Sequence, residues 1–493
     1  MLYDSDWTRN TVPARDRFPI NKKSILYLAN LLLVILLFCW PASVAAQVDQ
    51  PDGPVYIVES GDSLWDIAQR FGVSIDELSA ANGIVNINQL SAGQQLIIPG
   101  LEGIQGVLIT RPVSYGESVN SLSRRYQIDP KMLTRLNRLT NPEELYVGYS
   151  LVLTDEYVSP PDMARIALAP GESLLELAVL KGVNQWEFVE SNNLDGTWSA
   201  IPGDALLLLG DEVDGPSALP GAIQRVDVAP LPLEQGRSGV MAVEGDEGLT
   251  LRGSLMGIEL NFFQDQAGSY VALQGVHAMS EPGFYPLELE GTSGDGMPFS
   301  FSQRVYVRSV NYPYDRPLKV DPATIDPAVT RPEDAQWTAL ASTATSERAW
   351  EGVFNLPSPL PVDYCLETND CWSSRFGNRR SYNGSEYTSF HTGLDIVGGS
   401  GTEIFAPAPG VVVFAGPLTV RGNATMIDHG WGVYTGYMHQ SEIFVEIGDV
   451  VEAGEVIGLV GGTGRVEGPH LHWEVWVGGI QVDPLDWLQQ AYP

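Results

Sequence analysis

Positive charge is scarce in this sequence: 28 Lys and Arg stand against 61 Asp and Glu, a formal net charge of −33 over 493 residues. So acidic a chain excludes a phosphate-contacting surface, and with it nucleic acid as a partner. Neutral glycans, peptides or surfaces that carry cations fit it better, and the charge favours solubility without specifying a fold. Cysteine is nearly absent. Cys39 stands in an apolar run, which leaves Cys365 and Cys371, six apart in CLETNDC, as an even pair. In an oxidising compartment that pair closes a short loop; otherwise it is two free thiols. Long helices have little room, because 51 Gly and 34 Pro punctuate the chain into turns and short strands. Histidine is as rare, with six in all.

What histidine there is lies together. Five of the six (391, 429, 439, 470 and 472) fall between residues 391 and 472, where an even scatter would put about one. His470 and His472 form His-x-His, which in a strand aims two imidazoles at one face. Upstream, HTGLD brings His391 and Asp395, and YMH brings His439. Imidazoles and a carboxylate are metal ligands, and three of them leave a coordination position open for chemistry. Satisfied histidines in a β core are the bland alternative, and a cluster of five argues against it.

Length alone predicts several domains. Residues 1–23 are rich in Arg and Lys, Ile25 to Trp40 is apolar, and ASVAAQ comes next. A basic flank, an apolar core and small residues at a cleavage site make 1–46 an export signal; an uncleaved membrane anchor through residues 25–40 is the second reading. Either one places the remainder outside the cytoplasm, secreted or anchored and associated with the cell wall.

Beyond it lies an internal repeat. Gly61, Gly116 and Gly171 open GDSL, GESV and GESL at a spacing of 55. Asn82, Asn137 and Asn192 keep that spacing, as do Gly93, Gly148 and Gly203, and Leu96, Leu151 and Leu206. Each unit reads as strand, helix, helix, strand. The first (55–100) resembles the LysM module, whose pattern runs nearly complete from Tyr56 to Pro99; the units at 109–154 and 164–210 are degenerate. The resemblance implies binding of N-acetylglucosamine-containing glycans by the first unit, with Gly61, Asp62, Ser63, Leu64 and Asn82 at its groove. The other two read as spacers that kept the fold.

Residues 211–223 are a Gly-, Pro- and acid-rich linker. Alternating apolar and polar residues over 224–312, parted by Gly-rich turns, predict six or seven strands and an Ig-like β-sandwich. His277 there makes a local hydrogen bond. A segment at 313–354, helical around EDAQWTALASTATSERAW, reads as an arm between the sandwich and the last domain.

From 355 to 493 short β-runs alternate with glycines, the pattern of an antiparallel sheet with hairpin connections. FGNRR (376–380), HTGLD (391–395), DHG (428–430), YMH (437–439), GDVVEAGEVIG (448–458) and TGRVEGPHLHWE (463–474) resemble the LytM/lysostaphin-type zinc endopeptidases. That resemblance implies one zinc per chain on His391, Asp395 and His472, with His439 and His470 as unliganded catalytic histidines. The fold class is therefore multidomain: βααβ LysM-like repeats, an Ig-like β-sandwich and a mainly antiparallel-β zinc peptidase domain.

The implied function is an exported zinc metalloendopeptidase that cuts peptide cross-links in bacterial peptidoglycan, with glycan strands and stem peptides as partners. A catalytically silent regulator of cell-wall amidases, or an adhesin, is the competing class; intact ligand positions speak against both. His429 reads as structural, Arg465 and Arg375 as groove or surface, Glu467 as tuning groove charge, and the CLETNDC insert as a groove rim.

Overall fold

The computed structural model describes residues 53–155, 163–168, 173–200, 205–209, 219–294 and 296–493. The signal or anchor at 1–46 with Cys39, Gly171 and Gly203 of the third repeat, and most of the linker at 211–223 lie outside the described residues. Among the described residues no helix is long and apolar enough to cross a membrane.

The repeat is visible as geometry. Its units are β1 (Val55–Ile57), α1 (Leu64–Arg70), α2 (Ile75–Asn82) and β2 (Gln95–Ile97); β3 (Val107–Pro112), α3 (Val119–Tyr126), α4 (Pro130–Leu136) and β4 (Ser150–Thr154); and β5 (Met163–Ala167), α5 (Leu174–Lys181), α6 (Gln185–Ser191) and β6 (Ala205–Leu209). The serine of each GDS or GES motif is a helix N-cap in a capping box: Ser63 with Asp66, Ser118 with Ser121, Ser173 with Glu176. Strand register repeats too, with Val55 opposite Ile97, Thr110 opposite Val152 and Arg165 opposite Leu207.

The repeated asparagine explains itself. Asn137 donates to the carbonyls of Leu133 and Val152 and accepts from the Val152 N–H, and Asn82 and Asn192 do the same in their units. It clamps the second helix to the closing strand with bonds a buried backbone must otherwise find elsewhere.

Units one and two are fused. β1 and β3 pair in parallel, making one four-stranded sheet, β2-β1-β3-β4. Unit two also docks on the strand-rich region beyond residue 223. Its Tyr115 hydroxyl donates to the carbonyls of Leu287 and Phe301, and Gln303 bonds both the Gly116 N–H and the Glu117 carbonyl. The GESV loop is therefore covered, as a spacer's would be.

Nine strands make that region: β7 (Ile223–Ala229), β8 (Leu233–Glu234), β9 (Ser238–Gly245), β10 (Thr250–Leu255), β11 (Ile258–Leu260), β12 (Phe263–Gln264), β13 (Tyr270–Gly275), β14 (Gly283–Thr292) and β15 (Pro298–Arg308). They form sheets β11-β10-β14-β15-β8 and β12-β13-β9-β7. Inward residues of both, among them Met241, Val243, Leu287, Leu289 and Val305, share one core. His277 accepts from the Met279 N–H, the local bond expected of it.

The last region is built on an antiparallel sheet. After α7 (Pro327–Ala341) and α8 (Val362–Thr368) come β16 (Trp372–Ser374), β17 (Arg379–Arg380), β18 (Ser389–Phe390), β19 (Leu394–Val397), β20 (Glu403–Phe405), β21 (Gly410–Leu418), β22 (Gly422–Gly430), β23 (Val433–Ile443), β24 (Val450–Val451), β25 (Val456–Val460), β26 (His470–Val477), β27 (Ile480–Val482) and α9 (Pro484–Trp487). The main order is β16-β19-β26-β23-β22-β21-β24; β25 joins through β20 and β23, and β27 through β26.

The arm packs directly on this sheet, α7 setting Trp337 and Ala341 against Ala424, Met426, Tyr434 and Trp476. One expectation needs correction here. The CLETNDC insert does not form a groove rim. None of its residues lines the cavity described below; Cys365, on the inner face of α8, is joined to Cys371 in a disulfide, and both are buried in the main core.

Candidate metal centre

Asp395 on β19 and His472 on β26 are direct partners across an antiparallel pair, so the ladder sets them side by side. His391 reaches them from the turn after β18. A Cβ on Gly393 would lie 2.3 Å from the Trp473 carbonyl oxygen and 2.9 Å from His472 Nε2, so only glycine lets the HTGLD turn approach this closely. Three atoms then converge. His391 Nε2 is 2.9 Å from Asp395 Oδ1 and 3.0 Å from His472 Nδ1, and His472 Nδ1 is 2.7 Å from Asp395 Oδ1.

The outer nitrogen of each ring has its own partner: His391 Nδ1 lies 2.8 Å from the Arg375 carbonyl, and His472 Nε2 lies 3.3 Å from Glu474 Oε1. Both partners are acceptors, so each outer nitrogen donates and the inner ones present lone pairs. Two imidazole lone pairs and a carboxylate oxygen facing one point call for a cation there. An ion about 2 Å from each atom fits over such a triangle, and the donor set suits a metal that keeps an open position.

Electrostatics agree. Burial alone would raise Asp395, yet the surrounding histidines hold its carboxyl well below the usual range. Burial disfavours a charged His472, but the carboxylates of Asp395 and Glu474 outweigh it and lift this imidazole to about 9. Glu474, which burial would raise, is brought down to about 2 by His472, Arg421 and Thr392. The triangle attracts positive charge, and a metal ion binding there would displace a proton.

His439 and His470 stand beside it in the same cavity of about 780 Å³. Their rings are 5.2 Å apart, and His439 is 6.0 Å from His472. His439 Nδ1 donates to the Thr463 carbonyl and His470 Nδ1 to the Gly468 carbonyl, each at 2.8 Å, which leaves Nε2 of both rings for chemistry. Burial, then the charges of His472 and His470, push His439 down to about 3, so it stays neutral near pH 7.

Other expected residues divide. Arg465 and Glu467 line the cavity, Glu467 paired with Arg316. Arg375 does not; its guanidinium turns to Asn369, and only its carbonyl serves the site. His429 is fully buried between the Pro409 carbonyl and the Thr435 hydroxyl, outside the cavity. At the first repeat, Gly61 and Ser63 are exposed, but three glycan candidates serve the fold. Asp62 accepts from the Tyr56 hydroxyl and the Glu59 N–H, Leu64 is 2% exposed, and Asn82 is spent on its clamp. The repeat spacing does not single out Trp65, yet it is 58% exposed beside them, and an exposed aromatic is the better sugar-stacking surface. Nor does any motif include Arg421 or Trp337; Glu474, within HLHWE, and Arg380, within FGNRR, carry a local signal but no assigned role.

Residues 389–484 match the family model described as Peptidase family M23, and residues 56–99 and 113–154 match the LysM domain model. The chain carries an M23 peptidase domain and LysM domains. The M23 domain is 47% identical over 95 residues to the DD-carboxypeptidase/endopeptidase Mpg of Neisseria meningitidis serogroup B, covering 19% of this chain and 22% of that protein. It is 40% identical over 113 residues to the peptidoglycan DD-endopeptidase ShyA of Vibrio cholerae serotype O1, covering 23% of this chain and 26% of that protein. The matched stretches thus span about a quarter or less of these relatives. A Pseudomonas aeruginosa crystal structure titled as an M23 peptidase is 28% identical, covers 52% of this chain and 96% of that one, and has a TM-score of 0.39. All five histidine and aspartate positions of the site lie inside the M23 match.

Proposed function

We propose that this protein is an exported zinc metalloendopeptidase that hydrolyses peptide cross-links of bacterial peptidoglycan. Its first LysM unit holds it on glycan, and an immunoglobulin-like two-sheet spacer carries the M23 domain. The observation that carries this reading is the convergence of His391 Nε2, Asp395 Oδ1 and His472 Nδ1 beside two further imidazoles in one cavity. The names of the relatives support the substrate class, and the basic, apolar and small-residue layout of 1–46 supports export.

His391, Asp395 and His472 would hold the zinc. When bound, zinc supplies a Lewis acid for the scissile carbonyl and lowers the pKa of a water to about 7. His470, 3.5 Å from Asp395 Oδ1 through Nε2, is placed to accept a proton from the attacking water and return it to the leaving amine. His439, neutral with its one proton held at Nδ1 by Thr463, presents Nε2 as a lone pair placed to accept a proton from the attacking water, and once protonated it can donate to oxygen as negative charge develops. At the first LysM unit, Trp65 offers a sugar a flat apolar face beside Gly61 and Ser63.

The test is zinc content together with release of peptide ends from purified peptidoglycan. Wild type is expected to hold about one zinc and to release new ends. His391→Ala should lose both, whereas His439→Ala should keep zinc and lose release by about 10²-fold or more. A folded, zinc-supplemented wild type that binds no metal would sink the reading.

A further inference from the structure

The M23 match begins at residue 389, yet three contacts from a segment far upstream end on its site. We infer that residues 315–341 belong to the metal centre, with Asp315, Glu333 and Trp337 as positioning residues for Asp395, His439 and His472. The inference rests on the metal reading above.

The first contact runs to His472. Trp337 on α7 is fully buried and donates Nε1 to Glu474 Oε2 at 3.0 Å; Trp476 Nε1 donates to the same oxygen at 2.8 Å. The other oxygen, Oε1, takes the Thr392 hydroxyl at 2.6 Å and His472 Nε2. Held at both oxygens, the carboxylate cannot swing, and the imidazole it orients cannot turn.

The second runs to His439. Glu333, one turn before Trp337 on the same face of α7, is buried among backbone donors. It accepts from the N–H groups of Thr419, Val420 and Arg421 at 2.8, 2.9 and 3.0 Å, and pairs with the Arg421 guanidinium at 3.2 Å. That guanidinium also bonds Asp334 and lies over the Trp337 ring, 5.3 Å from its centroid. The turn so fixed puts the Arg421 carbonyl 2.9 Å from the His439 N–H. His439 has φ = +64°, a strained conformation for a side chain with a Cβ, so it needs such support.

The third runs to Asp395. Residues 313–320 lie alongside Arg379–Tyr382, with Tyr314 opposite Arg379 and Leu318 opposite Tyr382. This sets Asp315 Oδ2 3.0 Å from Arg380 Nε, while Arg380 Nη2 reaches Asp395 Oδ2 at 3.4 Å and Ser374 Oγ at 2.8 Å. Arg380 thereby holds the oxygen that the two imidazoles do not use, and Oδ1 is left facing them.

A helix that merely covered the sheet would present apolar side chains. Placing a carboxylate and an indole N–H there instead costs desolvation that only specific hydrogen bonds offset.

The experiment uses the full chain with Trp337→Phe, Glu333→Gln and Asp315→Asn. It reads zinc affinity by chelator competition, visible absorption of the cobalt-loaded protein, and unfolding temperature without metal. Wild type should bind one zinc. Trp337→Phe and Asp315→Asn should each weaken zinc binding about tenfold and alter the cobalt band, because ligand orientation changes. Glu333→Gln should alter the cobalt band less and slow peptide release more. Asp315 is only partly buried, so its variant remains folded and informative. Lowered unfolding temperatures with wild-type zinc affinity and cobalt spectra in all three would reduce these residues to packing and overturn the inference. A wild type without zinc would remove the metal reading itself, a separate result.

Discussion

At the scale of single residues, the state of a histidine follows from its surroundings, and His429 shows the rule most cleanly. It is fully buried, bonded to the Pro409 carbonyl and the Thr435 hydroxyl, and packed on the Phe354 ring. Burial pushes it down to about 4 from an ordinary 6.5, and its bond to Pro409 offsets only part of that. Between those values the unfolded chain takes up a proton that the folded chain refuses. Stability therefore rises with pH across the window and is lost as pH falls from 6.5 towards 4. The full loss is about 3 kcal/mol, on 1.36 kcal/mol per unit. His429→Gln should flatten this part of the stability profile, read as unfolding temperature at pH 7, 6, 5 and 4. Parallel wild-type and variant curves would refute the buried neutral state. The neighbouring carboxylate, Asp428, is itself raised by burial and is common to both proteins, so the difference between the curves reports His429.

At the scale of elements, much of the site was legible because its signals are local. HTGLD and HLHWE each fit within a few residues, and the period of a strand puts His470 and His472 on one face without knowledge of the fold. The 55-residue repeat was legible for the same reason. Partners remote in sequence were not. Nothing near Trp337 announces a bond to Glu474, 137 residues away, and nothing in CLETNDC says that its cysteines face a core. Asn82 shows the converse: the LysM resemblance placed it at the glycan groove, whereas its amide, like those of Asn137 and Asn192, is consumed by backbone. Asn137→Ala would leave the Val152 N–H and carbonyl without partners in a buried setting, while the Leu133 carbonyl keeps the backbone N–H of residue 137, and should cost about 3 kcal/mol in denaturant unfolding. Asn82→Ala, at a half-buried site that water can reach, should cost clearly less. Equal losses would mean that the clamp acts by helix propensity alone.

At the scale of the molecule, the joints decide how the LysM units serve the M23 domain. Units one and two share a sheet, unit two is bonded to the sandwich, and the sandwich merges with the M23 domain. Val271 and Leu273 of β13 sit in one core with Val477, Val482 and Trp487. Phe263 stacks on Trp431 at 5.6 Å, the Asp483 N–H donates to the Gly236 carbonyl, and Arg237 pairs with Asp483 and Asp486. A flexible tether would raise local substrate concentration in all directions. On the proposed function, joints like these would instead present the groove at a set place relative to bound glycan, which would favour some cross-links over others. Gly275 tests the central joint. A Cβ there would come within 2.8 Å of a Val482 methyl and 3.0 Å of the Val477 carbonyl oxygen. Gly275→Leu should therefore wedge the sandwich from the M23 domain, at a cost of about 3 kcal/mol or more. In calorimetry, wild type should melt sandwich and M23 domain in one transition, because a shared core couples them. The variant should show two, with zinc content retained and release of peptide ends from intact sacculi reduced more than release from soluble fragments. Two transitions already present in wild type would restore the tether and remove the geometric selectivity with it.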